Sequence, residues 1–214
     1  MHKYHAYPQN ASWMMRKILE AGEVISQLHK PLDDKKSIIK QIYLQLISTL
    51  SKTSWRRLMC NNTARPKAIF TMWLQCQGRL LTVDRLKKWG INVNDTCVLC
   101  QASLETRNHL FAECGYAKSL WSRLIQWAQL HNIRSSTWEQ HLQVICQHTK
   151  GKSTTAKLLK MMYAKYTHAL WKERNQRIFQ ETARDHTSLA REIVCICNPR
   201  AIGTVKKFVQ QLYF

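Results

Sequence analysis

Apolar residues recur along this chain at helical spacing, and the pattern reads as helix nearly throughout. Met14, Ile18, Ala21, Ile25 and Leu28 step by four and three, which puts them on one helix face with Ser12 as N-cap. Pro31-Leu32-Asp33-Asp34 breaks that helix. Ile39, Ile42, Tyr43, Leu46, Ile47 and Leu50 form a second stripe, and Asn61-Asn62-Thr63 a loop. Pro66 suits the first turn of a third helix, whose apolar side is expected at Ile69, Phe70, Trp73 and Leu74, with Gly78 as its end. Thr82 caps a short helix through Leu86 and Trp89 that Gly90 stops, and residues 91–96 form a connector.

Beyond Gly115, Leu120, Trp121, Leu124, Ile125 and Trp127 predict another amphipathic helix. Ser135-Ser136-Thr137 supplies a turn and cap before Trp138, Leu142, Ile145 and Cys146. A long helix is predicted from about Thr155 to Gln180, burying Leu158, Met162, Leu170, Trp171 and Phe179. A last helix is predicted over 188–196, ended by Asn198-Pro199. The expected fold class is therefore mainly α, with little or no sheet.

Composition narrows the picture. Hydrophobic residues make up 45% of the 214, with eight tryptophans, so the chain is built to bury a core. No apolar run approaches the ~18 residues of a membrane span, and the N-terminus has no apolar signal region. An intracellular protein, nuclear or cytoplasmic and not secreted, is expected. Lys and Arg total 33 against 13 acids, a net charge of +20. The excess is concentrated: residues 51–93 carry nine basic residues and one acid, and residues 150–214 carry thirteen against four. Such a surface favours a polyanionic partner, because each neutralised phosphate releases a counterion. Nothing calls for a membrane or a small-molecule substrate as partner.

Eight cysteines in a long chain without a secretory signal point toward metal before disulfides. Cys97-Val98-Leu99-Cys100 is followed by eight residues and His109, then by four residues and Cys114. That spacing matches a Cys3His zinc set, in which four protein ligands close the tetrahedron and leave no position for a catalytic water. The alternative is four small residues packed in a core. A five-residue step from His109 to Cys114 fits a straight helix poorly, so Cys114 is expected at a frayed end. Three thiolates on Zn2+ leave about one negative charge, so any attraction for phosphate must come from flanking Lys and Arg. Cys60 and Cys76 stand apart, Cys195 and Cys197 form no second set, and His131, His141, His148 and His168 show no ligand spacing.

The stretch from Pro66 through Trp73, Gly78-Arg79-Leu80-Leu81-Thr82, Asp84-Arg85-Leu86, Trp89-Gly90, the Cys and His residues, and finally Trp121 resembles the zinc-binding domain downstream of the reverse transcriptase in plant LINE-type non-LTR retrotransposons. Ser12-Trp13 with Arg16-Lys17-Ile18, and Leu170-Trp171-Lys172-Glu173-Arg174-Asn175 with Arg177 and Phe179, resemble the flanks of those polyproteins. The resemblance implies Zn2+ on Cys97, Cys100, His109 and Cys114, a role in holding RNA or cDNA, and a reverse transcriptase core as a further partner. It also implies a detached C-terminal piece, organised as an N-terminal helical flank (1–39), a zinc-binding segment (40–125) and a basic helical region (126–214). No Tyr-x-Asp-Asp box and no acid cluster suited to a two-metal nuclease occurs, so an accessory module without enzymatic activity is expected.

Candidate nucleic-acid contacts are Arg79, Arg85, Lys87 and Lys88 beside the short helix, with Lys172, Arg174 and Arg177 on the long one. A merely solvated basic face is the other reading of the first four. Trp73 and Trp89 are read as core residues more than as base-stacking ones. A structural or protein-contact module with no independent activity stands as the competing function.

Overall fold

The computed structural model describes residues 20–23, 26, 37–48, 53–130, 133 and 135–200. These form two compact units that divide between Thr53 and Ser54. In the first, α1 spans Ile38–Ser48. Ile39 and Tyr43 of its expected stripe are exposed. Most of the helix expected over Met14 to Leu28 lies outside the described residues, although 20–23 are helical.

The second unit holds the site. Its helices are α2 (Arg56–Met59), α3 (Pro66–Cys76), α4 (Val83–Lys88), a π-helical turn (His109–Glu113), α5 (Gly115–Trp127), α6 (Trp138–His148), α7 (Thr154–Phe179) and α8 (His186–Arg200). The fold is mostly helical, and the one β feature among the described residues is a bridge between Thr96 and Leu104. No helix among them is long and apolar enough to cross a membrane.

α7 is the central element. Every residue from Leu158 through Thr167 is buried, as expected of a helix packed on all sides. It packs against α2, α3, α5, α6 and α8, so segments 54–125 and 126–200 contribute to one core. Its N-cap is Ser153, whose hydroxyl accepts from the Ala156 amide at 3.1 Å. Thr137 caps α6 in the same way, accepting from Gln140 N at 3.3 Å. Asn62 ties the α2–α3 loop to α7, donating to the carbonyls of Leu58 and Lys160 at 2.8 and 2.9 Å.

Several expected faces are reversed. α3 starts at Pro66 and is closed by Gly78 at φ +64°, as the pattern predicts. Its buried face, however, is Ala68, Thr71, Met72, Gln75 and Cys76, while Phe70 is exposed and Ile69, Trp73 and Leu74 are half-buried. The small residues Ala68 and Thr71 allow close approach to α7, where Thr71 Oγ1 meets His168 Nδ1 at 3.0 Å. Trp89 and Phe179, both expected inside, are exposed, and Trp171 is half-buried. α5 begins at Gly115, earlier than its apolar stripe suggests. α8 runs on through Asn198-Pro199 to Arg200, with buried Cys197 holding its last turns to the core.

Candidate metal centre

Two local structures bring the four ligands together. The first is the loop from 95 to 105. Glu105 N donates to Asp95 O at 2.8 Å and Cys97 N to Ser103 O at 2.8 Å, so the two arms of the loop run back on each other. At its tip Gln101 N closes a turn on Cys97 O at 2.8 Å, with Gln101 at φ +54°. The turn faces Cys97 and Cys100 toward one point.

The second is the π-helical turn. On an α-helix, residues five apart lie about 140° from each other around the axis. Here Cys114 N donates to His109 O at 2.7 Å, a bond spanning five residues that widens the turn and returns Cys114 to the side of His109. The expected frayed end is thus an ordered π turn. Thr106 starts it: its hydroxyl accepts from His109 N at 3.0 Å and its carbonyl from Leu110 N at 2.9 Å. Tyr166 of α7 donates to Phe111 O at 2.9 Å and fastens the turn to the core. Leu110 and Phe111 are fully buried on its inner side.

The outcome is a cluster in which one ligand atom from each of Cys97, Cys100, His109 and Cys114 lies within 4.8 Å of all the others. Cys97 Sγ and Cys114 Sγ are 4.0 Å apart, and Cys100 Sγ is 3.2 Å from His109 Nε2. A regular zinc tetrahedron has edges of about 3.8 Å between sulfurs and about 3.6 Å from sulfur to nitrogen. The donor set fits that ion. Cys97 and Cys114 are fully buried, and His109 nearly so.

The electrostatics agree. Its hydrogen bond to Cys114, with burial, raises the Cys97 pKa, and Cys114, accepting that bond, is lowered. Two buried sulfurs sharing one proton favour a divalent cation in its place, because both could then be thiolates without repelling each other. Burial lowers the His109 pKa and keeps its imidazole neutral, the form that ligates. Zinc bound there would cross-link the loop and the π turn.

Around the cluster lies a shell of buried charge. Glu105, five residues beyond Cys100, is buried and receives Arg174 twice, Nη2 to Oε1 at 2.7 Å and Nε to Oε2 at 3.2 Å. The same carboxylate accepts from Val83 N at 3.1 Å and stands in for the expected cap at Thr82. Glu173 is buried too, and accepts from Arg177 Nε at 2.9 Å, Arg184 Nε at 3.0 Å and Arg184 N at 2.8 Å. Arg177 Nη1 reaches the carbonyls of Val98 and Leu99, between the two cysteines of the loop, at 3.3 and 3.1 Å. Its guanidinium also lies 4.7 Å from the centre of the Tyr116 ring.

The expected outward positions of Arg174 and Arg177 are therefore corrected. Both face inward, because buried carboxylates and loop carbonyls absorb their donors. Asn175 accepts from Arg174 Nη1 at 3.0 Å, which accounts for an asparagine in mid-helix. Lys172 is exposed, as are Arg79 and Lys88, while Lys87 is exposed and paired with Asp95. Arg85 is half-buried and donates to Gly78 O at 2.8 Å. Among the described residues no further histidine joins the cluster. His141 is buried, His168 faces Thr71, His148 is exposed beside Val144 O, and His131 lies outside the described residues.

Compared with models of protein families, residues 38–121 match one described as zinc-binding in reverse transcriptase. The matched span starts at α1, contains all four ligands and ends within α5. The match is to the zinc-binding accessory domain and not to the catalytic one. Neither the curated proteins nor the solved structures give a match.

Proposed function

We propose that this chain is a zinc-stabilised accessory module related to reverse transcriptase, which binds nucleic acid without reading its sequence and has no catalysis of its own. The observation that carries the reading is the convergence of Cys97, Cys100, His109 and Cys114 inside a span similar to the zinc-binding domain of reverse transcriptase. Four protein donors leave no open position on a tetrahedral ion, which fits a structural role.

The partner is RNA or its cDNA copy, held by the basic residues outside the core. Arg79, Lys88 and Lys172 are exposed, and Arg85 and Lys87 belong to α4 beside Lys88. They lie in the two stretches that carry most of the excess charge. A plant LINE-type retrotransposon source, a reverse transcriptase core as protein partner, and a nuclear or cytoplasmic location belong to the same reading.

The test has two parts. Native mass spectrometry of the chain, with and without chelator, is expected to show one zinc per molecule. Binding of labelled RNA is expected to weaken with salt, and the combined Arg79→Ala, Lys88→Ala and Lys172→Ala variant to lower the salt slope by about 0.7 for every phosphate no longer neutralised. RNA affinity unchanged in that variant would remove the proposed surface.

A further inference from the structure

The outer side of α3 and α4 carries a feature that neither the zinc cluster nor the charge excess requires. Phe70 and Trp89 are 57% and 58% exposed, a large apolar area to leave in water. They belong to two ring–guanidinium groups joined at Gly78. Phe70 stacks on Trp73, with centroids 5.8 Å apart and planes 23° from parallel. The Arg79 guanidinium lies 5.7 Å from the centre of the Trp73 ring. Arg85 ties the next helix to this group by donating to Gly78 O at 2.8 Å, and its guanidinium lies 5.3 Å from the centre of the Trp89 ring. Gly78 makes the junction possible at φ +64°, and Arg79 N closes it on Leu74 O at 2.7 Å.

We propose that this face is a stacking platform for single-stranded nucleic acid, with Phe70 and Trp89 receiving bases, Trp73 backing the Phe70 ring, and Arg79, Arg85 and Lys88 receiving phosphates. The proposal rests on the nucleic-acid reading above and narrows it to unpaired strands. Exposed rings offer their π faces to any base, and the arginines over Trp73 and Trp89 add charge where the backbone would pass. In a duplex those base faces are already covered, so the rings would have nothing to stack on. Charge selects this occupant over an apolar protein surface, since residues 51–93 carry nine basic residues against one acid.

The experiment uses the zinc-loaded full chain, a fluorescent oligouridine of about 12 nucleotides and a duplex of equal length, read by anisotropy at physiological salt. The single strand is expected to bind more tightly than the duplex. Trp89→Ala and Phe70→Ala should each weaken single-strand binding roughly 5- to 150-fold, the range for one stacked base, and leave duplex binding and the melting temperature unchanged. Trp89→Phe keeps a ring and should recover most of the loss. Equal binding of strand and duplex, with the ring variants matching the parent, overturns the platform and leaves sequence-blind phosphate binding standing. Binding to neither oligonucleotide overturns both readings together.

Discussion

Arg177 Nη1 donates to the carbonyl oxygen of Leu99 at 3.1 Å, joining the far end of α7 to the tip of the cysteine loop. The same guanidinium is held by Glu173 and bonds Val98 O. It positions the loop without touching the cluster. Arg177→Ala is therefore expected to weaken zinc binding about tenfold or more with all four ligands in place, as loss of outer-shell support typically does. Arg177→Lys should rescue it poorly, because an ammonium cannot reproduce the planar fork. Competition with a chromophoric chelator measures both, and zinc affinity equal to the parent's in Arg177→Ala would refute the role.

The Glu105–Arg174 pair is buried at both ends, with side-chain exposures of 0% and 5%. Removing one partner leaves the other charge without compensation, so Arg174→Met should cost about 3–5 kcal/mol. Replacing both by apolar residues removes that penalty, but it also strips Val83 N of its acceptor. The double variant Glu105→Leu with Arg174→Met is thus expected to recover only part of the loss. Denaturant melts of the two single variants and the double variant give the coupling directly, and simple additivity would show that the pair does not act as a unit.

His141 packs among the rings of Trp121, Tyr163 and Tyr166, and Ser135 Oγ meets its Nδ1 at 3.0 Å. Burial pushes its pKa down from 6.5 to about 4. Above 6.5 the ring is neutral whether folded or unfolded. Between 6.5 and 4 the unfolded chain takes up a proton that the folded one refuses, so stability falls as the pH falls, by about 3 kcal/mol in total. His168 is also lowered by burial and adds to the slope of the parent. The difference between the parent and His141→Gln isolates one histidine. The variant should lose stability less steeply between pH 6.5 and 4, and parallel curves would contradict the assignment.

The Cys3His cluster was legible in the sequence because a ligand set depends on residue type and spacing, and few other roles demand that combination. Helix existence was legible for the same kind of reason: the cap at Thr137 and the stop at Gly78 are local. Which side of a helix faces inward was not. Phe70 and Trp73 outrank Ala68 and Thr71 in hydrophobicity, yet the small residues are buried because close helix contact rewards small volume. Arg174 and Arg177 read as outward charges, since nothing local announces that Glu105 and Glu173 will take up their donors in the interior. The π turn escaped because a five-residue bond has no residue signature, although the His109 to Cys114 spacing already disagreed with a straight helix.

That loop and that turn set the response to metal removal. The loop has one β bridge and is tied to its surroundings by the Arg177 bonds, the Glu105 contacts and the Lys87–Asp95 pair. The core around α7 has its own packing, with Leu158, Leu159, Met161 and Met162 fully buried. Chelation or Cys97→Ser should then open the loop first. Amide exchange at Cys97 and Gln101, whose protons go to Ser103 O and Cys97 O, should speed by at least about tenfold, while residues 158–170 keep their protection. The melting temperature should fall in both cases, and adding zinc should restore the chelated parent but not the variant. Uniform loss of protection along α7 would mean that the ion supports the whole unit, and unchanged exchange at Cys97 would mean that no ion had been holding the loop.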